Sequence, residues 1–348
     1  MNQNIVDKRE VSAITEREIA KNIFLVAPGV WRMKDVFVNV YIIQNNHSSN
    51  WILVDAGLPS SAQKIKNFAE EVLGSGASPM AIVMTHGHFD HRGSLQQLAD
   101  EWSVPVYAHH LEMPYLTGKS SYPPPDPSVG GGGMASLSFL YPKKPINVSE
   151  HLNELPENGT IPGIPEWKWV HTPGHTPGHI SLFRERDGVL IAGDAFVTTK
   201  QESVFSVMTQ KIELNGPPKY FTPDWGAAAR SVKELAALEP SVLATGHGHA
   251  LYGDEGRKGL HKLARKFWEL AMPSSGRYVK EPALFNEDGV TYVPPASKKK
   301  LLLTLAGATV LITAGIILYK SKRHKKAGKA MIGSSLKLFT NAISRAAI

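Results

Sequence analysis

Thr85-His86-Gly87-His88-Phe89-Asp90-His91 follows directly on the apolar run Met80–Met84. A short apolar run of this kind reads as a buried strand, and the histidine-rich heptapeptide leaves its C-terminal end. In an extended segment residues i and i+2 face the same way, so His86 and His88 can reach one metal ion together. Asp90 and His91 fall at the turn into the next helix and can point to a second ion beside the first. The blander reading is a solvated turn that happens to be rich in histidine. Four metal-competent side chains within six residues outweigh it.

Working outward, three further metal-competent side chains follow strands. His175 lies in His171-Thr172-Pro173-Gly174-His175-Thr176-Pro177-Gly178-His179, between the runs Trp167–Val170 and Ile180–Arg184. Asp194 follows Val189–Ala192, and His247 follows Val242–Ala244 in Thr245-Gly246-His247-Gly248-His249. α/β sheets place their sites at the C-terminal ends of strands, and here several such ends carry ligands. The chain has no cysteine, which removes thiolate sites and Cys nucleophiles and leaves His and carboxylate to hold any transition metal.

With Asp55 in Val54-Asp55-Ala56-Gly57 as a fifth motif, the order of these elements resembles the metallo-β-lactamase superfamily, in its glyoxalase II-like and lactonase-like branch. The resemblance spans about residues 20–270. It implies an αβ/βα sandwich of class α/β, with two divalent metal ions at one edge of the paired sheets. Carried over, it assigns His86, His88 and His175 to the first ion. Asp90, His91 and His247 go to the second, with Asp194 bridging. It makes Asp55 a support for the His-rich loop and not a ligand. Zn2+ suits this set, and Mn2+ or Fe2+ would tolerate it. Two ions bind and acidify a water, giving a metal-bound hydroxide that cleaves an ester, lactone or thioester of a small-molecule substrate. Asp90 is also placed to accept or relay a proton as a catalytic residue.

Among the other histidines, His171 and His179 flank a ligand and read as supporting residues. His249 is the candidate substrate contact, set against a solvated loop histidine. Three other functions share the ligands: a mononuclear-iron sulfur dioxygenase-like oxidoreductase, a phosphodiesterase, and a membrane-tethered metal-binding module. The bridging Asp194 argues against a β-lactamase. The absence of a tyrosine in Ala195-Phe196-Val197-Thr198 weakens the lactonase reading.

The formal charge of +7 invites a nucleic-acid partner, yet its distribution argues otherwise. From Lys298 onward there are nine lysines, two arginines and no acid, so the preceding residues carry a net −4. No nucleic-acid partner is expected.

The spacing of apolar residues predicts strands over Ile23–Val26, Val36–Gln44 and Trp51–Val54, and helices over Ser60–Leu73 and Ser94–Trp102. Thr222-Pro223 reads as an N-cap and first helical residue of a helix to about Leu238, and Lys258–Met272 as a final amphipathic helix. Regularity breaks down over 115–155, where Gly130–Gly133 and several apolar residues suggest an active-site cover loop. The resulting division is an N-terminal extension (1–22), a catalytic domain (23–275) and a linker (276–300).

Leu301–Tyr319 is a run of 19 residues without charge, flanked by Lys298-Lys299-Lys300 and by a basic cluster from Lys320. At about 1.5 Å per residue a helix of this length matches the ~30 Å hydrocarbon core, so 301–319 is expected to be a single-pass transmembrane helix. Residues 320–348 form a basic amphipathic tail that would meet membrane lipid. The N-terminus has no apolar signal region, so the catalytic domain is expected in the cytoplasm.

Overall fold

The computed structural model describes residues 15–45 and 47–296. The expected transmembrane helix and basic tail lie outside the described residues, and among the described residues no helix is long and apolar enough to cross a membrane.

Two sheets form the centre. The first has eight strands in sequence order: β1 Arg17–Ala20, β2 Ile23–Ala27, β3 Val30–Asp35, β4 Val38–Gln44, β5 Trp51–Val54, β6 Ala81–Val83, β7 Val106–Ala108 and β8 Leu152–Glu154. β1 to β5 pair antiparallel, and β5 to β8 pair parallel. The second sheet runs β13-β12-β11-β10-β9, from β9 Trp167–His171, β10 Ile180–Arg184, β11 Val189–Ile191, β12 Val242–Ala244 and β13 Leu251–Tyr252.

Side-chain alternation along these strands sorts residues into layers. Tyr41, Ile43, Ile52, Val54, Ala81 and Val83 join Ile180, Leu182, Val189, Ile191, Val242 and Ala244 in the core between the sheets. The alternate set Val40, Ile42, Leu53 and Ile82 packs outward on helices α1 (Ala62–Leu73) and α2 (Leu95–Trp102) through Ile65, Phe68, Leu95 and Leu98. Leu190, Ala192 and Leu243 do the same on the other side, against α3 (Trp225–Ala237) and α4 (Gly253–Arg265). The layers run helix, sheet, sheet, helix. That is the sandwich the sequence led us to expect.

Five boundaries differ from expectation. The first sheet begins inside the supposed N-terminal extension 1–22, because β1 pairs with β2. Its side chains are mostly exposed, so an edge strand held by its backbone looks polar in sequence. The supposed linker 276–300 is partly packed: Tyr278 and Ala283 are buried against α3 and α4, and β14 (Leu284–Asn286) pairs with β15 (Gly289–Tyr292). The cover segment 115–155 ends in β8, which adds to the first sheet beside β7. Finally, α3 is capped by Asp224 rather than Thr222, the Asp224 carboxylate accepting from Ala227 N–H at 2.9 Å. Lys258–Met272 also divides: α4 starts earlier, at Gly253, and a separate turn covers Phe267–Leu270.

Candidate metal centre

The two sheets meet at one edge, where the C-terminal ends of β5, β6, β11 and β12 open into loops. Backbone bonds join the sheets there: Ile180 N–H donates to Thr85 O at 3.0 Å, and Asn39 N–H to Gly246 O at 2.8 Å. Asp55 leaves β5 and accepts Thr85 N–H and Thr85 Oγ1–H, each at 2.7 Å, which anchors the start of the His-rich loop. Its Oδ2 also lies 2.7 Å from His91 Nδ1. Asp55 thus contacts the His-rich loop and His91 without belonging to any of the three groups of metal-competent side chains.

All seven expected ligands come together. His86, His88 and His175 form one group, His86, His91 and Asp194 a second, and Asp90, His91 and His247 a third; within each, the ligand atoms lie within 4.8 Å of one another. Asp194 sits between the outer groups. Its Oδ2 is 3.5 Å from His175 Nε2 and 3.1 Å from His247 Nε2, while Oδ1 is 3.6 Å from His91 Nε2. Asp90 Oδ2 is 3.6 Å from His247 Nε2.

Several of these atoms have been taken from water and given nothing in return. His86 Nε2, His91 Nε2 and Asp194 Oδ1 are buried with no hydrogen-bond partner, a condition that costs free energy unless another group completes them. The outward faces are fastened: His91 Nδ1 to Asp55, His247 Nδ1 to Phe37 O at 2.8 Å, His86 Nδ1 to Thr85 Oγ1 at 3.0 Å. Fixing one ring nitrogen and leaving the other free toward a shared point is how metal-binding imidazoles are held. The donor set fits divalent metal ions.

Electrostatics point the same way. Burial, then the other histidines, pulls His86 and His88 well below the usual imidazole range, and burial takes His175 down to about 3. These rings are neutral, as ligation requires. His88 Nδ1 lies 2.9 Å from His175 Nε2. Burial opposes charge at Asp194 too, but His247 and His91 overcome it and hold the carboxyl well below its ordinary range.

His249 is not part of this group. Its Nδ1 lies 2.6 Å from Glu16 Oε2 and 3.3 Å from Arg32 Nη2, in a cluster where Arg32 also donates to Asn39 Oδ1 at 2.7 Å. This histidine, read from the sequence as either a candidate substrate contact or a solvated loop residue, is instead tied to the buried Arg32–Glu16 pair, because β1 brings Glu16 to it. Of the flanking histidines, His179 supports the centre directly, its Nε2 accepting Asp194 N–H at 2.9 Å. His171 turns away, stacked on His109 with ring centroids 4.0 Å apart.

Three features escaped the sequence reading. Gly246 is forced by crowding, since a Cβ there would lie 2.0 Å from Asp194 Oδ1. Glu112 and Tyr122 are buried beside the His-rich loop, with nothing in their sequence surroundings to mark them. An apolar wall lies against one side: the His88 ring stacks on Phe221 at 4.4 Å and meets Tyr122 at 4.6 Å. Behind Phe221 are Phe37, Val129, Met134, Tyr141 and Tyr220, with Phe89 packed on them. The cover segment therefore supplies part of the wall of the centre.

Comparison with known proteins gives the family. Residues 33–247 match the metallo-beta-lactamase superfamily. A relative described as the probable metallo-hydrolase YflN of Bacillus subtilis (strain 168) is 48% identical over 244 residues, 70% of this chain and 92% of its own length. The probable metallo-hydrolase YybB of the same organism is 28% identical over 179 residues, 51% of this chain and 69% of its own. Among solved structures, the metallo-beta-lactamase family protein TTHA1429 from Thermus thermophilus aligns at 20% identity with a TM-score of 0.49, covering 70% of this chain and 80% of that one. With the motif order, the layered sheets and the buried His/Asp cluster in place, the chain belongs to the metallo-beta-lactamase superfamily, among its metal-dependent hydrolases.

Proposed function

We propose that the protein is a dinuclear hydrolase of a small ester, lactone or thioester, with His86, His88 and His175 holding one ion, Asp90, His91 and His247 the other, and Asp194 shared between them. The observation that carries this reading is the pair of outer ligand groups flanking one buried carboxylate. Two divalent ions held there supply Lewis acidity, which lowers the pKa of water and polarises a carbonyl oxygen. The chain's own residues do the rest. Asp55, Thr85, His179 and the Phe37 carbonyl fix the orientation of the ligands. Asp90 takes up or relays the proton released from water. Phe221 and Phe89 offer an apolar surface on which an acyl group can lie while water is excluded. A mononuclear iron centre would use one triad and leave Asp90, His91 and His247 without a purpose. Zn2+ is the ion we favour for this His/Asp set, with Mn2+ or Fe2+ as alternatives.

The 19-residue apolar run and the basic residues beyond it support membrane attachment through 301–348. The experiment that tests the function is metal analysis of protein purified without added metal, followed by a screen of esters, lactones, thioesters and phosphodiesters. Two ions and turnover of a carboxylic ester class support the reading. One iron, or turnover of phosphodiesters alone, overturns it.

A further inference from the structure

We infer that Glu112 is a positioning residue of the metal centre, a buried carboxylate that holds the His86–His88 loop and the His175 loop at a fixed separation. The inference rests on the metal-centre reading above. Glu112 is completely buried and lies in a one-turn segment after β7, on neither ligand loop. Its Oε2 accepts Gly87 N–H at 2.9 Å and the Tyr122 hydroxyl. Its Oε1 accepts Gly178 N–H at 2.9 Å and Thr176 Oγ1–H at 2.7 Å. One carboxylate thus spans two loops that arrive from different sheets.

The choice of partners gives this contact its meaning. Gly87 separates two ligands, and its amide donates to side chains of one network, Glu112 Oε2 and the Tyr122 oxygen, each at 2.9 Å. Thr176 follows the ligand His175, and Gly178 comes just after. Left unpaired, these buried donors would each cost about 1–3 kcal/mol, and an unpaired buried carboxylate would cost more. Each therefore needs the other. The Gly87 peptide is held from its opposite side as well, its carbonyl accepting Arg92 Nε–H at 2.7 Å. A Cβ at Gly87 would lie 2.8 Å from the Tyr122 oxygen, so the close approach requires glycine. Tyr122 packs its ring on His88, which places the same network on both the backbone and the imidazole of one ligand. A group that only stabilised the fold would have no reason to choose donors beside three ligands of one ion.

The test is the affinity of that ion. Zn2+ binding is measured by competition with a chromophoric chelator, in the intact sequence and in His247→Ala, where of the two outer sets the His86–His88–His175 set is complete and the other is not. We expect Glu112→Gln to weaken Zn2+ binding at that set by tenfold or more, the range found when groups behind metal ligands are removed, with circular dichroism unchanged. Thr176→Val, which removes one donor and little volume, gives a smaller loss in the same direction and serves if Glu112→Gln does not fold. Unchanged Zn2+ affinity in folded Glu112→Gln, or in Thr176→Val where the first variant fails, overturns the inference. If the unmutated chain itself binds no Zn2+, the metal-centre reading falls instead, and the two failures are distinct.

Discussion

His91 Nδ1 lies 2.7 Å from Asp55 Oδ2, and this contact decides which nitrogen of the ring remains for a metal. With Nδ1 engaged, Nε2 faces Asp194 Oδ1 at 3.6 Å. Asp55 thus shapes the centre without entering it.

Asp55→Asn keeps the size of the side chain and removes its charge. The amide can still accept from Thr85 but no longer holds an imidazole N–H as strongly. Metal affinity should fall by about 10–100-fold, read by elemental analysis after dialysis against a weak chelator. Full occupancy would mean that His91 is oriented by its packing alone.

Asp194 and His171 make a sharp contrast. Asp194→Ala removes the carboxylate between both ligand groups, so turnover should be abolished and both occupancies should drop. The His171 ring bonds to Pro177 O and stacks on His109, away from the ligand groups, so His171→Ala should retain most activity. The opposite ranking would show the ligands to be misassigned.

Gly246→Ala adds a single carbon where the nearest atom is Asp194 Oδ1 at 2.0 Å and the next His91 Cε1 at 2.9 Å. The carboxylate must move off its shared position. Bound metal and hydrolysis should both fall by at least about tenfold, the scale set by disturbing a metal ligand's surroundings, while the melting temperature of the metal-free protein changes little. Normal metal content in this variant would contradict the placement of Asp194.

Part of the acid sensitivity should be traceable to one histidine outside the centre. Burial, then the neighbouring His171 and His110 rings, takes His109 down to about 3. The folded chain therefore binds fewer protons than the unfolded chain between about pH 6.5 and 3, so this contribution is present above pH 6.5 and is lost as the pH falls. The loss is at most about 1.4 kcal/mol per pH unit. His109 also caps its turn, Nδ1 accepting Leu111 N–H at 3.2 Å, a place that suits Asn. His109→Asn should lose less melting temperature than the unmutated chain between about pH 6.5 and 4. Parallel pH profiles would rule this out.

Stopping the chain at Ser297 removes none of the seven candidate ligands and none of the described residues. The truncated protein should bind metal and hydrolyse substrate as before, and should move from the membrane to the soluble fraction. Its formal charge falls from +7 to −4, so a cation exchanger should no longer retain it at neutral pH. Aggregation or loss of metal would show that the tail packs on the catalytic domain.

The centre could be read in the sequence because its ligands belong to short local motifs. His86, His88, Asp90 and His91 stand within six residues, and His175, Asp194 and His247 each follow a legible strand. Strand alternation made the layers legible for the same reason, since Ile42 and Ile43 differ by one residue and face different layers. What failed depended on distant partners. β1 is a strand only because β2 accepts it. Glu112 looks like any surface glutamate until two loops from different sheets are folded around it. His249 reads as free for substrate because Glu16 lies 233 residues earlier. The 276–300 segment reads as a linker because the anchors in its described part, Tyr278 and Ala283, are scattered among polar residues.

Four candidate ligands follow β6 in the first sheet, and the other three belong to loops of the second. During synthesis from the N-terminus, the first four emerge long before His247 does. Neither half alone can complete a set with Asp194, so tight metal capture has to wait for the two sheets to close on each other. Loaded metal then reports that the whole chain has assembled, and a cell short of metal would accumulate a protein whose two halves are joined only by packing and by hydrogen bonds such as those of Ile180, Asn39 and Glu112.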